Sequence, residues 1–269
     1  MYSHFVSNDW VTPFGLIFIA AIFIAWFFAR RNASSIYIDP SHIDLLVPVT
    51  IIVGVAGGTL VATLMPADQM LAGEAMSQGI RLRLFDLLGT GAVAMFVYSR
   101  MTKLSFRHLL DIFALPTLAG LMVHRVGCFL AGCCWGDVVS HEHATSFLQG
   151  VVSGVQYPPG SLPYGQHLAM GMIEPDALAS LPVYPVQLYE AGLLLVLLLV
   201  LTRVRWRRCP RGTLTVLTVC AYAVLRFFIE FLRADGHMVL SNLTITQLQC
   251  IILMASVVLL PRRSESVVS

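Results

Sequence analysis

Charge is what this sequence lacks. Asp, Glu, Lys and Arg make up 12% of its 269 residues, roughly half the share of an ordinary soluble domain. Lysine occurs once, at Lys103. So little charge cannot solvate a surface on all sides, and 57% of the residues are hydrophobic. The chain therefore reads as an all-α, polytopic membrane protein, a single integral membrane domain over 1–269 with no separate soluble part. No basic block is present, which excludes a nucleic-acid partner on electrostatic grounds. Low-complexity tracts and internal repeats are missing, which argues against a transporter built from paired halves. Period-2 alternation is missing too, which argues against a barrel. Met1–Trp10 holds no Lys or Arg, and no small-residue cleavage site closes the first apolar run. The expectation is a retained first helix rather than a cleaved signal peptide.

What is present is a set of seven apolar runs: Phe14–Phe28, Leu45–Met65, Leu84–Val97, Leu109–Val123, Pro185–Leu201, Leu214–Leu232 and Leu243–Leu260. A straight span needs about 20 residues, so the third and fourth should extend through flanks such as Arg81–Arg83 and Ser105–His108. With the N-terminus outside, the inner loops hold Arg30, Arg31, Arg100, Lys103, Arg107, Arg203, Arg205, Arg207, Arg208, Arg211, Arg262 and Arg263. That leaves Arg81, Arg83, Arg125, Arg226 and Arg233 for the outer side. The bias places the N-terminus outside and the C-terminus in the cytoplasm. The long connection at about 137–183 falls on the outer face. Its Tyr157, Pro158, Pro159 and Gly160 suggest a packed cap, with a helix-friendly patch at Pro175–Ala179.

Three polar motifs interrupt the apolar runs near that outer face. In the sixth, Arg226, Glu230 and Arg233 stand at i, i+4 and i+7 on one helical face. A charge inside an apolar helix is costly unless it faces the bundle interior beside a partner. Glu230 is the partner of Arg226; the plainer reading is a structural ion pair with Arg233 reaching the interface. The fifth run opens Pro185-Val-Gln187-Leu-Tyr189-Glu190, where Pro185 suits a helix start. Gln187 and Glu190 share a face there, which a polar helix contact with interfacial Tyr anchors would also explain. The fourth ends His124-Arg125-Val-Gly127-Cys128 and continues to Gly132-Cys133-Cys134-Trp135-Gly136. An arginine beside a glycine-rich exit suits an anion, though it also suits an interface anchor. Arg125 and Arg226 at one depth, with Gln187, Glu190 and Glu230, suggest a cavity for a lipid phosphate.

With these motifs the chain resembles the bacterial prolipoprotein diacylglyceryl transferase family. The matching pieces are Arg125-Val-Gly127 through Trp135-Gly136, Gln187-Leu-Tyr189-Glu190, and Arg226-Phe-Phe-Ile-Glu230-Phe-Leu-Arg233. Weaker echoes are Phe14-Gly-Leu, Arg100-Met-Thr-Lys103 and Thr246-Gln247. The resemblance implies a seven-helix enzyme of the bacterial cytoplasmic membrane that uses neither metal nor organic cofactor. Such an enzyme moves the diacylglyceryl group of phosphatidylglycerol onto the lipobox cysteine of a preprolipoprotein. It implies catalytic roles for Arg125, Arg226 and Glu230, and substrate binding by Gly127, Gly136, Gln187, Tyr189, Glu190 and Arg233. The family's His-Gly-Gly is replaced by Phe85-Asp86-Leu-Leu, which makes Asp86 the expected general base, with His124 the alternative. The second-span arginine is Thr59, the asparagine after Arg-x-Gly is Cys128, Asn-Gly-Glu is Ala131-Gly132-Cys133, and an early tyrosine is Phe14.

Two other classes fit parts of the pattern. One is a lipid-binding or altered-substrate paralogue that kept the cavity and lost the base. The other is a membrane thiol or metal protein built on Cys128, Cys133 and Cys134 with His124, His141 and His143. Its C-x4-C-C spacing departs from the usual C-x-x-C of zinc and redox sites. Cys220 and Cys250 lie in apolar runs as small hydrophobes, and Cys209 sits among arginines.

Overall fold

In the bilayer, a long apolar run satisfies its backbone only as a helix or a closed barrel strand. The computed structural model describes residues 13–64, 84–139, 154–204, 209–234, 238–240 and 243–259. The helices are α1 (Pro13–Ser34), α2 (Ser41–Leu64), α3 (Leu84–Thr102), α4 (Phe106–Ala131), a short α5 (Leu162–Ala169), α6 (Val186–Thr202), α7 (Thr213–Ile229) and α8 (Ile245–Leu259). Each of the seven apolar runs carries a helix. Several run longer than their apolar stretch: α1 continues to Ser34 and α3 to Thr102, taking Arg31 and Arg100 into their last turns.

Three local expectations change. Glu230 caps α7 and opens a single 3-10 turn, Glu230–Leu232, rather than lying inside the helix. The last helix starts at Ile245, because β2 (Leu243–Thr244) pairs antiparallel with β1 (Met238–Leu240). The loop helix is α5, while Pro175–Ala179 forms turns. The Ser161 side chain accepts from Tyr164 N–H at the start of α5, with proline in its first turn, a start signal that Pro175–Ala179 lacks. The Tyr164 hydroxyl donates to the Pro175 carbonyl (3.2 Å), tying the turns onto α5.

The packing order follows the chain ends. Helix α1 lies along α4, α2 along α3, and α8 along α7, while α4 sits centrally against α6 and α7. Phe18, Phe23, Phe27, Ile52, Val196, Phe228 and Ile252 point outward and are exposed. Among the described residues, four helices are long and apolar enough to cross a membrane, and α6 and α8 are shorter apolar helices. Water would not tolerate so apolar an exterior, and lipid does. The protein is a helical membrane protein.

The end of the bundle bearing Arg30, Arg100 and Arg211 is held by both apolar and polar contacts. Ala29, Ala33, Ile43, Leu46, Met95, Leu109 and Ile112 form a buried cluster there. Asp111 on α4 is 2% exposed and caps α7 from outside that helix. Its carboxylate accepts from Gly212 N–H (2.6 Å), Thr215 N–H (2.8 Å) and the Thr215 hydroxyl (2.6 Å). Two of the backbone donors that α7 leaves unpaired at its start are satisfied this way. At the same end, the Asp44 carboxylate accepts from Trp26 Nε1 (2.8 Å) and Arg30 Nη1 (2.7 Å).

Candidate active site

The opposite end of the bundle starts with the way α4 stops. Gly132 takes φ 65°, and its N–H and that of Cys133 turn back onto the Phe129 and Cys128 carbonyls, which closes the helix in a left-handed cap. The chain then runs flat across the bundle. Gly136 N–H donates to the Tyr184 carbonyl (2.9 Å) and Asp137 N–H to the Leu232 carbonyl (3.0 Å). A Cβ on Gly136 would lie 2.7 Å from the Leu232 oxygen and 2.8 Å from Tyr184 Cβ. Only glycine fits, and the fit draws the end of α4, the start of α6 and the end of α7 into one layer.

Into that layer each helix delivers charge. Arg125 Nε on α4 lies 2.9 Å from Glu190 Oε2 on α6, and both side chains are buried. Arg226 Nη2 on α7 lies 2.6 Å from Glu230 Oε2, and Arg233 Nε lies 3.7 Å from the same oxygen. The Thr244 hydroxyl donates to Glu230 Oε1 (3.1 Å). Gln247 Oε1 accepts from Thr244 N–H (3.0 Å), and its Nε2 donates to the Phe227 carbonyl (3.4 Å). Gln187 Nε2 donates to the Cys133 carbonyl (2.7 Å), which joins α6 to the turn after α4. Tyr222, fully inside the bundle one turn before Arg226, lies beside Arg125 and close enough to Arg226 and Glu190 to feel their charges. The two buried arginines therefore share one neighbourhood, centred on that phenol.

The layer's chemistry follows from a count of its charges. Three guanidinium groups, Arg125, Arg226 and Arg233, face two carboxylates, Glu190 and Glu230. Arg226 Nη1, Glu190 Oε1, Gln187 Oε1 and Tyr189 Oη are buried with no hydrogen-bond partner among the described residues. Two of these atoms, Arg226 Nη1 and Tyr189 Oη, are donors. Surplus positive charge with unused donors is suited to an anion, while the two free acceptors suit hydroxyl groups. Beside it, an apolar groove runs between α6 and α7 past Leu193, Leu217, Val224 and Phe228, ending at Ile229 and Leu232 next to Glu230.

Of the expected site residues, the structure brings together Arg125, Gln187, Glu190, Arg226, Glu230 and Arg233. Gly136 closes the layer, and Gly127 is buried within α4. Tyr189 borders the layer from α6. Asp86 belongs to the first turn of α3, and its side chain lies outside the described residues, as do His141 and His143. His124 Nε2 sits 3.4 Å from Cys128 Sγ and its ring meets Phe18 edge-on. Thr59 hydrogen-bonds its own helix at Val55 O (2.6 Å). Sequence reasoning missed Tyr222, Thr244 and the role of Gln247. A tyrosine one turn before an intramembrane arginine was the available signal for the first of these.

The described parts of the connection between α4 and α6 hold one another in place. Val155 and Val138 each bridge to Val183, and His167 of α5 accepts from Leu181 N–H through Nδ1 (3.2 Å). Burial pushes the His167 pKa below its ordinary value, because desolvation disfavours the charged ring.

The family model of prolipoprotein diacylglyceryl transferase matches residues 6–261. The chain belongs to this family. Curated relatives in the diacylglyceryl transferase family carry the name phosphatidylglycerol–prolipoprotein diacylglyceryl transferase. The relative from Agrobacterium fabrum is 28% identical over 243 residues, 82% of this chain and 74% of that protein. The one from Methylococcus capsulatus is 28% identical over 254 residues, 88% of this chain and 85% of that protein. A third, from Dehalococcoides mccartyi, is 30% identical over 183 residues, 67% of this chain and 60% of that protein.

Proposed function

We propose that this diacylglyceryl transferase family member moves the diacylglyceryl group of phosphatidylglycerol onto the thiol of a lipobox cysteine in a preprolipoprotein. The acceptor thiolate attacks the glycerol carbon that carries the phosphate. A C–S bond forms, the C–O bond breaks, and glycerol phosphate leaves with the bond's electron pair.

The observation that carries this reading is the shared neighbourhood of Arg125 and Arg226 around Tyr222, with positive charge in excess. Negative charge grows on the bridging phosphate oxygen as the C–O bond breaks, and guanidinium groups already in place stabilise it without reorganising. Low local dielectric strengthens that effect. Glu190 and Glu230 aim the two arginines. Thr244 and Gln247 in turn hold Glu230, and Gln187 fixes the turn after α4. Arg233 and Tyr189 border the headgroup, and one acyl chain lies in the groove between α6 and α7. The acceptor of the thiol proton is Asp86, carried by the first turn of α3.

The wider arrangement follows from the same placement. The single domain spans the bacterial cytoplasmic membrane seven times, with the N-terminus outside and the C-terminus in the cytoplasm, so the charged layer faces the outer leaflet and the emerging lipobox peptide. The segment 137–183 caps it.

The test is direct. The purified chain, phosphatidylglycerol and a synthetic lipobox peptide are incubated, and the peptide is weighed by mass spectrometry. The expected result is a mass gain equal to one diacylglyceryl group on the cysteine. An unmodified peptide, alongside a known family enzyme active in the same vesicles, would reject the reading.

A further inference from the structure

The three cysteines at the end of α4 have no role in the transfer chemistry, and their geometry is distinctive. Sequence spacing made C-x4-C-C an unpromising metal motif. The cap that ends α4 changes this. In a left-handed helix cap of this type, the residue just beyond the glycine folds back onto the helix residue five positions earlier, and their side chains meet. Here those two residues are Cys133 and Cys128: Cys133 N–H donates to the Cys128 carbonyl (3.1 Å), and Cys133 Sγ lies 3.6 Å from the same oxygen. The place usually taken by an apolar contact is taken by two thiols. Cys134 follows with φ 60°, a conformation that costs a side-chain-bearing residue about 1 kcal/mol. All three Sγ atoms lie within 4.8 Å of one another.

We propose that Cys128, Cys133 and Cys134 form a three-sulfur site for a soft d10 cation, Cu(I) or Zn(II). Thiolates select such metals over Mg(II) or Ca(II). At a metal–sulfur bond of about 2.3 Å, three thiolates around one ion stand about 3.8 Å apart. The Sγ atoms, all within 4.8 Å of one another, have about 1 Å at most to close, which side-chain rotation supplies. The rigid cap fixes two of the three donors, so little order is lost on binding. Each thiol that ligates releases a proton to solvent, and no oxidant or reductant enters. The loaded site is anionic, and Arg125 and Arg233 lie near enough to Cys134 to offset its charge. Burial of Cys128 and the half-buried Cys133 and Cys134 leave one side of the trio for the ion to enter. The remaining cysteines, Cys209, Cys220 and Cys250, lie elsewhere in the chain.

The test uses the full chain in detergent, reduced and metal-stripped, titrated with Cd(II) as the spectroscopic probe and then with Zn(II). One equivalent of Cd(II) with a sulfur-to-metal charge-transfer band, and about three sulfurs per ion by X-ray absorption, is the expected result. Single variants C128S, C133S and C134S should each weaken binding by roughly tenfold or more, since losing even a hydrogen-bond partner of a ligand weakens metal sites that much. C209S should bind as the parent does. Should C128S fail to fold, C133S and C134S carry the same prediction from outside the helix. Binding unchanged in C133S and C134S, two or fewer sulfurs per ion, or no band at one equivalent would each overturn the proposal.

Discussion

Asp111 and Glu190 are carboxylates buried to nearly the same degree in one helical bundle, at opposite ends of it. Asp111 is saturated: three donors converge on its two oxygens, and no cation is needed. Glu190 has one guanidinium contact through Oε2, and its Oε1 has no hydrogen-bond partner among the described residues. The first arrangement is what a fold does with a polar group it uses as a fastener. The second leaves an acceptor unfilled, which suits a donor such as a glycerol hydroxyl, while the neighbouring excess of arginine suits an anion. Burial alone does not separate structural from functional charge; saturation does.

Variants can break this contrast from either side. The largest effect belongs to the loop end. R125Q and R226Q should each lower transfer to the lipobox peptide by roughly 100-fold or more, the scale seen when one transition-state donor is removed. Rates are taken per folded molecule, because the stranded glutamate also destabilises the bundle. Next comes the basic end. D111A should cost on the order of 3 kcal/mol of stability, as two α7 backbone donors and the Thr215 hydroxyl lose their acceptor. Thermal unfolding in detergent measures this, and the transfer rate of the surviving folded fraction should stay at the parent's level. A D111A protein of normal stability but poor activity would reverse the assignment of the two ends.

A smaller effect tests how the layer is closed. G136A should destabilise by about 2 kcal/mol, the usual cost of forcing a methyl into a packed site. It should also reduce transfer, since Leu232 and Tyr184 must move away from the layer. The smallest effect concerns the cap. His167 accepts a hydrogen bond through Nδ1, and burial holds its pKa below 6.5. A lowered folded-state pKa means that the unfolded cap binds the proton more readily. The contribution of His167 is therefore complete above pH 6.5 and is lost as pH falls through the folded-state value. Hydrogen exchange at the Leu181 amide should accelerate as the pH is lowered below 6.5, relative to the intrinsic rate. H167Q should flatten that pH dependence.

How far the sequence reached can be seen at particular residues. The partnership of Arg226 with Glu230 was legible because four residues on a helix return to the same face. Pro185 as the start of α6 was legible because proline removes a donor that the first turn leaves unpaired anyway. That Glu190 pairs with Arg125, and Thr244 with Glu230, was not deducible from spacing, since each joins elements far apart in the chain. Asp111 carried no signal in the sequence, because the donors it serves come from α7, about a hundred residues along the chain. The cysteine trio was visible only as a spacing that matched no standard motif, because what unites it is a helix cap and not a repeat.

The sequence by itself determined that the chain lives in a membrane, which runs become helices, and which end of the bundle is basic. These are properties of short-range pattern and of solvent, and they survive without knowing which helix touches which. The tertiary structure alone decided that the neighbourhood expected for Arg125 and Arg226 centres on Tyr222, that one buried carboxylate is saturated while another is not, and that three thiols converge. Those outcomes depend on close approach between segments distant in the chain, where separations of a few tenths of an ångström decide whether charges pair, and no local pattern encodes such distances.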